Sequence, residues 1–171
     1  MPGGHSVIRK ELLGPDREER VSHEVSLLHR LSGVPYIVQL TPAQPNAGSI
    51  LFEDVHGEPL SSLATPLGRA RMAPLMLELA RAVAAMHWRG VIHRDISPGN
   101  ILLADGGQRP YLIDFALATT VAELRSDFTQ PSEIVGTLPY LAPEQTGRTG
   151  HSGDGRADLY GLGATMYELA T

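Results

Sequence analysis

Three side chains with oxygen donors lie at a spacing that suits metal-assisted phosphoryl transfer. Asp95 and Asn100 are five residues apart, and Asp114 follows Asn100 by fourteen residues. Phosphoryl transfer requires a divalent metal that bridges the phosphates, an oriented hydroxyl group and a carboxylate that can accept its proton. Asp95 can supply that carboxylate, while Asn100 and Asp114 carry the hard oxygen ligands that magnesium prefers. The sequence therefore predicts that one short region of the chain serves both proton transfer and metal binding.

The segments around these residues predict how they are brought together. Residues 101–103 and 111–113 are short apolar runs, and the Asp-Gly-Gly sequence at 105–107 is typical of a turn. We expect the two runs to pair as strands. Such a pair would bring Asn100 and Asp114 close in space although they are distant in sequence.

Three motifs follow one another in a recognisable order. They are His93-Arg94-Asp95, Asp114-Phe115-Ala116 and Ala142-Pro143-Glu144. This order resembles the signature of the eukaryotic-type protein kinase family. The resemblance implies an α+β, bilobal protein-kinase-like fold with a small β lobe and a mainly helical large lobe. It also implies ATP and Mg2+ as cofactors, with Asp95 as the catalytic base and Asn100 and Asp114 as metal ligands.

Two charged residues near the start of the chain extend the resemblance. Lys10 ends the segment Val-Ile-Arg-Lys, which lies at the position of the family's V-A-I-K motif, and it is the only lysine beside thirteen arginines. Apolar side chains at helical spacing predict a helix over residues 17–31 that carries Glu24. The resemblance implies that Lys10 reaches the α- and β-phosphates and pairs with Glu24. The alternatives are an ordinary surface lysine and a solvated helix glutamate.

Residues 50–57 resemble the strand and hinge that bind adenine in this family. By family position, Phe52 is expected to be the gatekeeper, and Leu102 to form the floor of the purine pocket. Glu53 and Val55 are expected to contact adenine through their backbone groups. Ordinary core packing is the alternative for Phe52 and Leu102, and both interpretations can hold together.

The resemblance predicts one partial kinase domain over residues 1–171. Within it we expect an incomplete N-lobe at 1–54, a hinge at 55–58 and a truncated C-lobe at 59–171. Nine residues before Lys10 leave no room for the glycine-rich hairpin that covers the ATP phosphates in the family. The last residues fall in or just after the expected central helix of the large lobe, so truncation is expected at both ends.

The segment 136–148, together with Asp158-Leu159-Tyr160, narrows the resemblance. It is similar to the N-terminal kinase domain of large bacterial multi-sensor signalling proteins. In those proteins an AAA-type ATPase module, GAF sensor domains and often a histidine kinase follow the kinase. The resemblance therefore implies further sensor or ATPase domains in a longer chain.

Regulation is expected in the segment between Asp114 and Glu144. In the family, Arg94 couples phosphorylation of this segment to activity through an arginine-phosphate pair, and Thr137 resembles the threonine that favours serine/threonine acceptors. Ala116 replaces the glycine of D-F-G, and this restricts the backbone there. Five hydroxyl side chains are candidate phosphorylation sites or ordinary polar loop residues: Thr119, Thr120, Ser126, Thr129 and Ser132.

Composition limits the other possibilities. The chain has 171 residues, 42% of them hydrophobic and 19% charged, which is typical of a globular domain. A net charge of -5 gives no general attraction to nucleic acid or anionic lipid. The absence of cysteine excludes disulfides and cysteine zinc sites. No apolar run is long enough to span a bilayer, and we expect a cytoplasmic protein without nucleic-acid or membrane partners.

Three functional hypotheses follow from these observations. The first is ATP-dependent phosphoryl transfer to serine or threonine hydroxyls of a protein substrate in bacterial signal transduction. The second is a pseudokinase fragment that binds nucleotide or acts as a scaffold. The third is a small-molecule phosphotransferase of the aminoglycoside type, which Arg94 and the Ala142-Pro143-Glu144 segment disfavour.

Overall fold

The computed structural model describes residues 6–42, 48–126, 136–146 and 154–171. In these ranges a small β-strand region precedes a mainly helical part, as predicted. The elements, in chain order, are β1 (Val7–Glu11), α1 (Arg17–Arg30), β2 (Ser49–Glu53), β3 (Glu58–Pro59), α2 (Arg69–Trp88), β4 (Val91–Ile92), β5 (Ile101–Ala104), β6 (Arg109–Leu112), β7 (Thr119–Thr120), α3 (Val121–Ser126) and α4 (Arg156–Ala170).

The described strands form three small antiparallel groups. Strand β1 pairs with β2, and its register places Lys10 opposite Ile50 and Ile8 opposite Phe52. Strand β5 lies between β3 and β6, while β4 pairs with β7. The predicted pairing of the two apolar runs after Asn100 is therefore confirmed, with β5 and β6 joined by the glycine turn.

Helix α1 packs one apolar face against the β1–β2 pair. Leu27 and Leu28 are buried, and Leu31 directly after the helix has no exposed surface. Acidic residues in the first turn and basic residues in the last complement the helix dipole. Glu24 is only 1% exposed, so the alternative of a solvated helix glutamate is wrong.

Helices α2 and α4 form the centre of the helical part. The buried face of α2 has helical spacing from Met72 to Met86, and the chain leaves the helix at Gly90 with a φ of 73°. Gly161 of α4 lies against the loop before β5, where a Cβ atom would come within 2.8 Å of the Ile96 carbonyl oxygen. Only glycine allows this helix to approach the loop so closely.

A buried histidine and a buried phenylalanine join the loop before β5 to the segment after β6. The rings of His93 and Phe115 have no exposed surface, and their centroids lie 4.8 Å apart. His93 Nε2 lies 3.0 Å from the carbonyl oxygen of Ile113, and its Nδ1 lies 3.3 Å from the backbone nitrogen of Asp95. His93 is therefore a hydrogen-bonded core residue.

Asp158 of α4 anchors the same loop through its backbone. Its carboxylate is 1% exposed and accepts the N–H groups of His93, at 2.9 Å, and Arg94, at 2.7 Å. The ring Nε2 of His87 lies 2.7 Å from the same carboxylate. A buried carboxylate with three nitrogen partners fixes both the loop and the helix that carries it.

We expect Asp158→Ala to lower the free energy of unfolding by about 3 kcal/mol, because it leaves two backbone N–H groups without an acceptor. Urea denaturation followed by circular dichroism measures this loss. Asp154→Ala is the matched control, since Asp154 lies just before α4 and pairs with Arg156 at the surface. Equal losses in the two variants would contradict an anchoring role for Asp158.

Candidate active site

Lys10 is the centre of a charge cluster that joins three elements. Its Nζ atom lies 2.8 and 2.9 Å from the two carboxylate oxygens of Glu24 on α1. The same atom lies 2.6 Å from Oδ1 of Asp114, which follows β6. The predicted ion pair between Lys10 and Glu24 is present, and the structure adds Asp114 as a second anion. The Lys10 side chain is 28% exposed, so the surface-lysine alternative is disfavoured.

Asp114 is ionised in this arrangement. Partial burial raises the pKa of the Asp114 carboxyl, but the hydrogen bond and charge of Lys10 and the N–H of Ala116 outweigh that effect. The net result is a pKa below the ordinary aspartate value. Asp114 therefore presents a carboxylate at neutral pH, with 44% of its side chain still exposed.

Asp95 is held by donors on both sides of its carboxylate. The backbone N–H of Thr137 donates to Oδ1 at 2.8 Å, and the Asn100 amide donates to Oδ2 at 2.8 Å. Asn100 also donates to the backbone carbonyl of Asp95 at 2.9 Å. These contacts fix the direction of the carboxylate, which is half-buried.

Asn100 and Asp114 are brought to one end of the β5–β6 pair. The Ile113 N–H donates to the Asn100 carbonyl at 3.0 Å, directly before Asp114. Because the Asn100 amide nitrogen donates to Asp95, its side-chain oxygen is the atom that can face a metal. No cluster of three or more histidine, cysteine, aspartate or glutamate side chains suited to a metal occurs in the described ranges. A metal here would need ligands from a bound substrate as well.

Arg94 is fixed through its backbone. Its φ is 68°, which is unusual for a residue with a side chain. Its N–H donates to Asp158, and its carbonyl accepts the Gln145 side-chain amide at 2.8 Å. Gln145 also accepts the Ala142 N–H at 3.0 Å, so the Ala-Pro-Glu segment packs against the loop before β5.

A cavity of about 420 Å³ opens beside Lys10 and Asp114. All four residues that the sequence assigns to adenine binding line it, namely Phe52, Glu53, Val55 and Leu102. The lining also includes Asp54 and Gly57 of the expected hinge segment, and three residues that the sequence did not indicate, namely Ile8, Val38 and Ile113. Strand periodicity could have found Ile8, because it lies two residues before Lys10 and therefore on the same face of β1. No comparable signal marks Val38.

Asp54 shapes the segment between β2 and β3. Its carboxylate accepts the His56 N–H at 2.8 Å and the Ser6 hydroxyl at 2.8 Å. These hydrogen bonds, together with the nearby His56 ring, hold the pKa of Asp54 below its ordinary value. The Asp54 carboxylate, which lines the cavity, is therefore already hydrogen-bonded to protein groups.

Comparison with known proteins agrees with this geometry. Residues 6–171 match the protein kinase domain family. The chain belongs to the protein kinase family. The kinase domain is 38% identical over 135 residues to serine/threonine-protein kinase Pkn1 of Myxococcus xanthus. The aligned residues make up 77% of the chain and 19% of Pkn1. It is 36% identical over 141 residues to probable serine/threonine-protein kinase PknB of Corynebacterium glutamicum, which covers 82% of the chain and 20% of that protein.

A third relative of the kinase domain is serine/threonine-protein kinase PknB of Mycobacterium tuberculosis. It is 34% identical over 134 residues, which covers 77% of the chain and 21% of that protein. The chain thus spans about a fifth of the length of the curated relatives that it matches. No helix in the described part of the kinase domain has the length and apolar character to cross a membrane.

Two of the candidate phosphorylation sites are structural in this kinase domain. Thr119 and Thr120 are each 7% exposed in β7, and both are hydrogen-bonded to Glu123. These contacts favour the interpretation as ordinary structural residues. Thr129 and Ser132 lie outside the described residues, and so does the side chain of Ser126.

We expect Lys10→Met to raise the pKa of Asp114 towards the ordinary value, because the cation that outweighs burial is removed. Since the folded-state pKa is lowered, ionised Asp114 stabilises the fold above the unfolded-state pKa. That contribution is lost as the pH falls through the folded-state value. Carboxyl carbon chemical shifts during an acid titration measure the change. Arg9→Met, which alters the adjacent strand position, should leave the Asp114 titration unchanged. If both variants raised the pKa of Asp114 equally, Lys10 would not be the cause of its lowered value.

Gly57 is expected to be intolerant of a side chain. A Cβ atom there would lie 2.9 Å from Leu102 Cβ and 3.2 Å from the backbone carbon of Leu103. We expect Gly57→Ala to destabilise the domain by about 1–3 kcal/mol through overpacking. Gly163→Ala is the control, because Gly163 is exposed on α4 and a Cβ there would meet nothing within 4 Å, and it should stabilise by roughly 0.5–1 kcal/mol. Thermal melting of both variants tests whether the two substitutions change the stability of the domain in opposite directions.

Proposed function

We propose that this kinase domain transfers the γ-phosphoryl group of ATP to serine or threonine hydroxyls of a protein substrate. The observation that carries the proposal is the cluster of Lys10, Glu24 and Asp114 at the edge of the 420 Å³ cavity. The cavity offers apolar surface that suits a purine, and the adjacent charges of the cluster suit phosphates and magnesium. The names of the relatives, all serine/threonine-protein kinases, support the same activity.

The nucleotide is assigned to the cavity between β1 and β5. Phe52 and Leu102 supply apolar surface, with Leu102 as the floor, and Phe52 acts as gatekeeper. Glu53 and Val55 offer backbone groups to the adenine edge. Lys10, oriented by Glu24, supplies the positive charge for the α- and β-phosphates.

Magnesium fits the remaining oxygen atoms. Asp114 provides a carboxylate, and Asn100 provides a neutral side-chain oxygen. Magnesium in phosphoryl-transfer sites takes one or two protein ligands together with substrate phosphates and water. When bound, the ion would neutralise charge that develops on the phosphates.

Asp95 is assigned as the base that accepts the proton of the acceptor hydroxyl. Asn100 and the Thr137 N–H orient its carboxylate, and Arg94 connects the catalytic loop to α4 and Gln145. We assign the guanidinium of Arg94 to coupling between activation-segment phosphorylation and activity. The approach of residue 137 to Asp95 supports its assignment to the acceptor pocket, where it favours serine and threonine.

The organisation of the domain is part of the proposal. We assign residues 1–54 to the N-lobe, 55–58 to the hinge and 59–171 to the C-lobe. The relatives are about five times longer than the matched region, which supports further sensor or ATPase domains in a longer chain. The proposed setting is cytoplasmic signal transduction, with a protein as the phosphate acceptor.

A nucleotide-binding domain without phosphoryl transfer is the second candidate. The two hydrogen bonds that already occupy Asp95 favour it, because both carboxylate oxygens are engaged by protein donors in this structure. A small-molecule phosphotransferase of the aminoglycoside type is disfavoured. Its chemistry does not require the Ala142-Pro143-Glu144 segment, which here packs against the catalytic loop through Gln145.

We expect Asp95→Asn to reduce phosphate transfer to a generic protein acceptor by at least about 100-fold, because the proton acceptor is removed. Transfer of label from γ-labelled ATP to casein in the presence of Mg2+ measures it. Binding of a fluorescent ATP analogue should be retained. Asp105→Asn, in the exposed β5–β6 turn, is the matched control and should keep wild-type transfer. Equal labelling by wild type and Asp95→Asn would reject catalysis, whereas nucleotide binding without any transfer would favour the second candidate.

A further inference from the structure

The carboxylate of Asp54 closes a turn of the chain whose central residue is Val55. Its Oδ1 atom accepts the N–H of His56, two residues further along the chain, at 2.8 Å. An aspartate side chain that accepts the N–H two residues later forms an Asx turn, which replaces an ordinary backbone turn. The conformation of Val55, to which an adenine contact is assigned, is therefore set by a neighbouring side chain.

The backbone of His56 depends on the same carboxylate. Its φ is 49°, which lies in the left-handed region that residues with side chains rarely adopt. The His56 ring adds a second contact, because its Nδ1 atom lies 3.2 Å from Oδ2 of Asp54. Since the ring is 72% exposed, water weakens this second contact, and the N–H hydrogen bond is the main restraint on the turn.

Strand pairing ends directly before this turn. The Asp54 N–H still donates to the carbonyl oxygen of Ser6 at 3.3 Å, whereas the N–H and carbonyl groups of Val55 have no hydrogen-bond partner among the residues that the structure describes. Val55 lines the cavity beside Lys10. Backbone polar groups need partners once water is excluded, so these two groups are available to the edge of a bound purine.

Asp54 also reaches the residue before β1. Its Oδ2 atom accepts the Ser6 hydroxyl at 2.8 Å, beside the backbone hydrogen bond between the same two residues. Ile8, two residues after Ser6, lines the cavity from β1. One carboxylate thus restrains both the turn that contains Val55 and the end of the strand that carries Ile8.

We propose that Asp54 is a positioning residue of the nucleotide site, whose carboxylate presents the backbone groups of Val55 to the adenine edge and holds Ile8 beside the purine. This proposal deepens the proposed function and rests on it, because the nucleotide is its ligand. Asp54 acts on recognition of the base, whereas the charges assigned to the phosphates belong to Lys10 and Asp114. Its two oxygens already accept protein donors, so its effect passes through Val55 and Ile8.

Equilibrium binding of a ribose-labelled fluorescent ATP analogue tests this role. We expect Asp54→Ala to weaken binding by about 3- to 10-fold, because a hydrogen bond to the base loses its geometry. Asp54→Asn keeps an acceptor oxygen and favours the same turn, so it should restore most of the affinity. Ser61→Ala is the matched control, because Ser61 is exposed a few residues beyond the hinge, and it should bind as wild type.

A competitor without a base separates positioning from a general loss of structure. Magnesium tripolyphosphate should displace the analogue with the same inhibition constant in wild type and Asp54→Ala, since the phosphate-binding charges are unchanged. Equal weakening of the analogue and of tripolyphosphate would overturn the proposal, and so would unchanged binding of the analogue to Asp54→Ala. If Asp54→Ala does not fold, Asp54→Glu replaces it, because the longer side chain misplaces the carboxylate for the turn. Wild-type affinity in Asp54→Glu would then overturn the proposal.

The outcome for Asp54 is distinguishable from the outcome for catalysis. If the wild type binds the analogue but transfers no phosphate, the proposed transfer fails while the binding comparison still decides the role of Asp54. If the wild type transfers phosphate and Asp54→Ala binds normally, only the role of Asp54 fails. In an active enzyme the loss should appear in KM for ATP, with kcat within about twofold of wild type. A wild type that does not bind the analogue would overturn both proposals.

Discussion

The ammonium of Lys10 is the interaction on which the rest of the site depends. Glu24 is almost completely buried, and a buried carboxylate is costly unless a cation and hydrogen bonds compensate it. Lys10 supplies both, and it reaches Asp114 from the same atom. One cation therefore positions a strand, a helix and the segment after β6 relative to one another. Lys10 and Asp114 both line the cavity.

The loop before β5, which contains Asp95, is restrained by backbone hydrogen bonds as much as by side-chain packing. Arg94 and Asp114 both have positive φ values, of 68° and 61°, which are unfavourable for residues with side chains. The Asp158 carboxylate stabilises the backbone of Arg94 by accepting its N–H. Lys10 holds the side chain of Asp114. Thus α4 holds the loop before β5, and β1 holds the residue that follows β6 and Ile113.

Residue type and spacing predicted the charged residues of the site better than the full set of residues that line the cavity. Lys10 and Glu24 pair as expected, since a unique lysine and a helical pattern marked them independently, whereas the contact between Lys10 and Asp114 was not predicted. The place of Val38 in the cavity could not be predicted, because it depends on how distant segments of the chain meet. Glu24 shows the same limit, since its helix position was predictable but its nearly complete burial depends on tertiary packing against β1 and β2.

Lys10 has a practical consequence for chemical probing of the protein. It is the sole side-chain amine in the sequence, and the structure places it at the edge of the cavity with part of its surface accessible to solvent. An amine-selective acylating reagent can therefore modify one side chain, apart from the α-amino group. The intact mass of the labelled protein would then report occupancy of the cavity directly, without peptide mapping.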